Sequence, residues 1–183
     1  MKVVDMHCDT ISEIYLQRQS NQDISLKQNN LNISLEKMQQ GDYLLQNFAM
    51  FTPLHKTDNP FQYAHDLIDT FYHEMNQYSD MIGVIKNYQD IINNMNQHRM
   101  SAMLTLEEGA VVQNALHYLQ HYYDLGVRMI TLTWNFSNGI GYPNFSRDDD
   151  NHGYHACDTK NGLTEFGKAY VQECERLGII IDV

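Results

Sequence analysis

The sequence predicts a parallel α/β fold of the barrel kind, and three observations carry that prediction. Short apolar runs alternate with segments whose apolar residues recur at helical spacing, the pattern of a sheet covered by helices. The runs are apolar almost throughout, as in strands buried on both faces. Polar residues collect where the runs end: His7 and Asp9, then Glu107 and Glu108, then Trp134 and Asn135. In a (β/α) barrel that end of the strands carries the active site. A doubly wound open sheet is the competing arrangement, but the first strand lacks the Gly-rich phosphate turn that usually follows it there.

The elements follow in order. Lys2 to Asp9 begins apolar and then alternates, so Asp5, His7 and Asp9 share one face of a strand while Met6 and Cys8 share the other. Thr10 is placed to cap a helix carrying Ile11, Ile14, Tyr15 and Leu16, and the Asn- and Gln-rich stretch 17–32 reads as a surface excursion. Asp42 to Thr52, between Gly41 and Pro53, is a buried strand. Residues 60–78 place Phe61, Ala64, Ile68, Phe71, Met75 and Tyr78 on one helical stripe that packs into the core. A short strand at 81–85 and a helix at 88–97 lead to a strand at 101–106. Val111 to Leu119 has helical spacing, and Gly126 ends that helix. Val127 to Thr133 is the next strand, and Phe136 to Gly162 is a long Gly-, Asn- and Asp-rich loop of functional length. Thr164 caps a last helix, closed by Gly178, and residues 179–183 form a fifth core strand.

Composition bounds the function. The 183 residues are 43% hydrophobic and 19% charged, as expected of one globular domain over residues 1–183. A net charge of −11 argues against nucleic acid and anionic membrane surfaces as partners, since both require basic patches. The N-terminal MKVVDMHCDT has no apolar leader core, and no run approaches the ~20 apolar residues of a membrane span. Cys8, Cys157 and Cys174 are odd in number and lack zinc-knuckle spacing, so they read as reduced thiols in a cytoplasmic protein.

The chemistry is expected at the strand ends. His7, Asp9 and Glu108 bring an imidazole and two carboxylates from two strands, a set suited to zinc, with manganese as second choice. Asp5 is read as orienting these ligands without being one. Cys8 and Cys174 are read as packed core thiols, and His55, His65, His73, His98, His117 and His121 as structural or surface residues. His152 and His155 lie with Asp148, Asp149, Asp150 and Asp158 in what reads as a solvated acidic loop.

Four segments, VVDMHCDT at 3–10, LTLEEGA at 104–110, YDLGVRMITLTWN at 123–135 and GLTEFGKAYVQECERLGIIIDV at 162–183, resemble the membrane dipeptidase (renal dipeptidase) family of metallopeptidases, in the amidohydrolase barrel superfamily. The resemblance implies a (β/α)8 TIM-like barrel with a binuclear zinc centre that hydrolyses dipeptides through a zinc-activated hydroxide. By position, His7 and Asp9 match the ligands of one zinc. Glu108 matches the carboxylate bridging both ions and is the catalytic candidate, while Glu107 is read as facing the other way. Trp134 stands where many relatives have a histidine, and with Asn135 it is assigned to the substrate. A tryptophan can stack or donate one N–H but cannot act as an imidazole.

The resemblance also implies what this sequence lacks. The family's second-zinc histidines, substrate-binding arginine and catalytic aspartate come after this fifth strand. A (β/α)8 barrel needs ~250 residues, so five core strands make an incomplete barrel, resembling the N-terminal part of such an enzyme. Two parallel edges are then expected to stand unpaired. Two function readings follow: a metal-dependent dipeptidase, or a catalytically incomplete fragment that binds at most one metal and acts by self-association or by pairing with a C-terminal half. A relative acting on cyclic amides or phosphoesters is a third reading, disfavoured by the EEGA and GVRMITLTWN segments.

Overall fold

Each apolar run forms a strand in the computed structural model, which describes residues 1–145 and 157–183. His152, His155 and Asp148 to Asp150 lie outside the described residues. The chain divides into two compact units, residues 1–51 with 62–105, and residues 52–61 with 106–183.

The first unit holds β1 (Val3–Asp5), α1 (Thr10–Gln19), α2 (Leu35–Gln40), β2 (Tyr43–Phe51), nearly all of α3 (Pro60–Gln77), β3 (Ile82–Val84), α4 (Tyr88–Asn96) and most of β4 (Met100–Glu107). Its strand order is β1-β2-β4, with β3 paired to β4 as a side branch. β1 runs parallel to β2 with Val3 opposite Tyr43, and β3 runs parallel to β4 with Ile82 opposite Met100. Every residue of β4 is buried, as its apolar run predicts. The α3 stripe of Ala64, Ile68, Phe71 and Met75 is buried, and the Phe71 ring meets Phe48 of β2 at 5.8 Å between centroids.

Two local differences from the sequence reading have physical causes. β1 stops at Asp5, because the Asp5 carboxylate accepts the backbone N–H of His7 at 3.1 Å and turns the chain out of the ladder. Pairing resumes at Cys8, whose N–H donates to Asn47 O at 3.1 Å and whose carbonyl accepts from Ala49 at 3.0 Å. The short helix α2 lies in a stretch the periodicity did not resolve. It starts where the Ser34 hydroxyl accepts the N–H of Lys37, and it buries Leu35 and Met38.

Asn47 ties the end of β1 into the sheet. Its amide donates to Met6 O at 2.9 Å, and its Oδ1 accepts the Thr105 hydroxyl at 2.5 Å, with Asn47 and Thr105 both buried. Asn47→Ala is expected to cost about 1–3 kcal/mol, chiefly by stranding the buried Thr105 hydroxyl, read as a lower midpoint in urea unfolding. An unchanged midpoint would show that the segment from Met6 to Cys8 does not depend on this side chain.

The second unit holds the last residues of β4, then a 3-10 turn (Gly109–Val112), α5 (His117–Leu125), β5 (Val127–Thr131), α6 (Glu165–Leu177) and β6 (Ile180–Asp182). Its strand order is β4-β5-β6, and β5 pairs in parallel with β6, Met129 opposite Ile180. The helix expected from Val111 is split. Gln113 and Asn114 adopt φ of 52° and 56°, a left-handed step that no right-handed helix continues through. α5 ends as expected at Gly126, with φ 107°. α6 is capped as expected, the Thr164 hydroxyl accepting the N–H of Gly167 at 2.9 Å. Among the described residues no helix is long and apolar enough to cross a membrane.

Candidate metal centre

In the first unit the turn at Asp5 leaves His7 and Asp9 about half exposed beyond the end of β1, with His7 Nε2 3.4 Å from Asp9 Oδ1. Asp9 immediately precedes α1, and its carbonyl accepts the N–H of Glu13, so the helix start fixes its backbone. Cys8 between them is buried, as expected. Burial pushes its thiol up to about 12, against the opposing hydrogen bonding of Thr10, so it is held protonated at neutral pH. Cys174 is likewise buried and pushed up to about 12 by burial.

The second unit presents two adjacent acids with different surroundings. Glu107 is the last residue of β4 and only 8% exposed, and its carbonyl accepts the N–H of Thr52 at 3.1 Å. Glu108 is fully buried, with φ 109° and ψ 101°, a backbone region that residues with a side chain seldom occupy. Its carboxylate is held by three donors: Ala110 N–H at 3.0 Å, Trp134 N–H at 3.3 Å and the Asn138 amide at 2.5 Å. Burial raises the Glu108 pKa above the ordinary carboxyl value, and those hydrogen bonds pull the other way.

The sequence reading assigned Glu108 to the metal, and the two acids at this strand end have different partners. Adjacent residues at a strand end point to opposite sides, so the two acids meet different surroundings. Glu108 instead caps the 3-10 turn and gathers the backbone after β5. The signal for this was present in the sequence: Glu108 stands immediately before the turn residues Gly109-Ala110-Val111-Val112, where a side-chain acceptor caps exposed N–H groups.

Trp134 and Asn135 follow β5, half-buried, and line a cavity of about 450 Å³ at the C-terminal ends of β5 and β6. The Trp134 ring lies 5.5 Å from that of Phe136. Asn138, which sequence reasoning did not single out, organises this turn. Its amide also donates to Leu132 O, and its Oδ1 accepts the N–H groups of Ile140 and Gly141. Only its place in a Gly- and Asn-rich loop hinted at such a role.

Comparison with known proteins matches the chain to one family. The family model of the membrane dipeptidases (peptidase family M19) matches residues 1–183. Dipeptidase 3 of Mus musculus is 31% identical over 88 residues, 48% of this chain and 17% of its own length. Among solved structures, dipeptidase AC, a metallopeptidase of family M19, superposes with a TM-score of 0.83 at 19% identity, covering 100% of this chain and 56% of its own. A metallopeptidase from Rhodobacter sphaeroides, liganded with a phosphinate mimic of the dipeptide L-Ala-D-Ala, gives a TM-score of 0.82 at 18% identity, covering 100% of this chain and 58% of its own. The chain thus spans little over half the length of these structures. The likeness shows the fold: mixed α/β, with the parallel sheet of an incomplete TIM-like barrel.

Proposed function

The chain belongs to the membrane dipeptidase family, and on that premise we propose that it carries part of the metal centre of an enzyme that hydrolyses dipeptides. The supporting observation is His7 Nε2 lying 3.4 Å from Asp9 Oδ1 beyond the end of β1. Glu107 is assigned as the further carboxylate because Glu108 spends its own on Ala110, Trp134 and Asn138. One imidazole and two carboxylates suit zinc, or manganese as second choice, and three protein ligands leave a coordination position for water. A bound divalent ion supplies a water of lowered pKa and a polarised substrate carbonyl.

The chain's own residues do the rest. Asp5 holds the backbone of His7 through its N–H, so the imidazole departs from a fixed point. Glu107 adds a carboxylate from a buried strand end, which limits its motion. Glu108 is assigned to holding the turn that presents Trp134 and Asn135, and these two are the candidates for contacting the substrate. Trp134 offers a ring face for stacking, and the Asn135 carboxamide offers both a donor and an acceptor to a peptide group.

The test is hydrolysis of a broad dipeptide panel by the 183-residue chain with added zinc, beside EDTA-treated protein and the Glu107→Gln variant. Turnover abolished in both controls is the expected result. A second reading is supported by the coverage of the solved structures, 56% of one and 58% of the other. On that reading the chain binds at most one ion and acts only when a second copy or a C-terminal half supplies further groups. One zinc bound per chain without turnover favours it. No zinc bound and no turnover contradicts both.

A further inference from the structure

The cavity beside Trp134 has the properties of a side-chain subsite. It opens at the C-terminal ends of β5 and β6, the end at which barrel enzymes bind substrates. Its volume, about 450 Å³, is that of a small-ligand site. Trp134, Tyr142, Pro143 and Leu163 give it an apolar, largely aromatic wall. Tyr142 and Leu163 remain 50% and 42% exposed, so apolar surface is left for a ligand to cover. Among the described lining residues the one acid is Asp182, whose Oδ2 accepts the Thr131 hydroxyl at 2.5 Å, which places negative charge against any acidic guest.

The wall is also preorganised. Glu108 accepts the N–H of Trp134 at one end of the turn, and Asn138 closes it by accepting from Ile140 and Gly141. Gly141 bridges to Leu163, and the Thr164 hydroxyl donates to Gly139 O at 2.7 Å. Behind them Gly167 lies so close that a Cβ there would stand 2.0 Å from Ile140 O. A side chain at position 167 would push the wall outward.

We propose that this cavity receives an apolar side chain of the substrate, so that the chain selects dipeptides with an aromatic or aliphatic residue over those with an acidic one. The proposal rests on the dipeptidase reading for the identity of its ligand. Glu108 acts in it as a positioning residue, through the backbone of Trp134.

Trp134 is the only tryptophan in the sequence and lines the cavity, so its fluorescence reports occupancy directly. The experiment titrates the intact chain in EDTA, without turnover, with Gly-Phe and with Gly-Asp. Gly-Phe is expected to shift the Trp134 emission saturably, with Gly-Asp binding at least about tenfold more weakly. Tyr142→Ala and Leu163→Asp alter half-exposed positions, and each is expected to weaken Gly-Phe by about tenfold, the scale of a lost apolar contact in a specificity pocket. Equal responses to the two dipeptides, no response to either, or Gly-Phe binding unaltered in either variant overturns the proposal. Zinc-dependent hydrolysis without this discrimination would sink the subsite and leave the metal reading standing. Discrimination without hydrolysis under any metal would do the reverse.

Discussion

Glu107→Gln is expected to weaken zinc binding by about 100-fold or more, while Glu108→Gln leaves it near the parent value. Loss of a group that merely orients a ligand already costs about 10–100-fold in metal affinity. Removing a ligand's charge at a buried strand end should cost no less. The neighbouring substitution acts elsewhere. Glu108 spends its carboxylate on Ala110, Trp134 and Asn138, and a glutamine there must turn an N–H₂ group toward donors. Its effect is expected on stability, about 1–3 kcal/mol, and on the Trp134 environment. Competition against a chromophoric chelator measures the first effect, and urea unfolding followed by fluorescence the second. Equal losses of zinc affinity in both variants would mean that ligand and anchor have been assigned wrongly.

Glu74→Ala is expected to destabilise the first unit by about 3 kcal/mol, the lower end of the range for breaking a buried pair. Glu74 is fully buried on α3 and accepts from Arg18 of α1 at 2.5 Å and from the N–H of Leu26 at 2.6 Å. The Arg18 guanidinium also donates to Ile24 O at 2.8 Å. One carboxylate thus joins α1, α3 and the polar excursion between α1 and α2. The side chain of Arg18 is 32% exposed, so water relieves part of its loss, which keeps the cost at the lower figure. The Leu26 N–H is buried and gains no such relief. A midpoint shift in urea corresponding to less than about 1 kcal/mol would show that the excursion is held by its apolar residues alone.

What could be read from the sequence divides along physical lines. β2, β4 and α3 were legible because burial imposes a pattern over many residues: continuous apolar runs for the strands, one stripe for the helix. The caps of α5 and α6 were legible because Gly126 and Thr164 belong to residue types that end and begin helices for backbone reasons. The break at Gln113 and Asn114 was not, since two left-handed residues leave no trace in the apolar spacing. The stop in β1 was hidden for a similar reason, because alternation continues past Asp5 while the side chain of Asp5 takes over His7's N–H. At the site, His7 and Asp9 were legible as a pair two residues apart. The role of Glu108 was not settled by residue type, since Glu107 and Glu108 are both acids at one strand end. It shows only in the backbone N–H groups of Ala110 and Trp134 that Glu108 accepts.

Zinc-edge anomalous diffraction from zinc-soaked crystals of the intact chain tests the metal centre most directly. The expected result is a peak within coordination distance of His7, Asp9 and Glu107, with the Glu108 carboxylate still bonded to Ala110, Trp134 and Asn138. A peak on Glu108, or zinc bound only at sites away from His7 and Asp9, would contradict the assignment of the ligands.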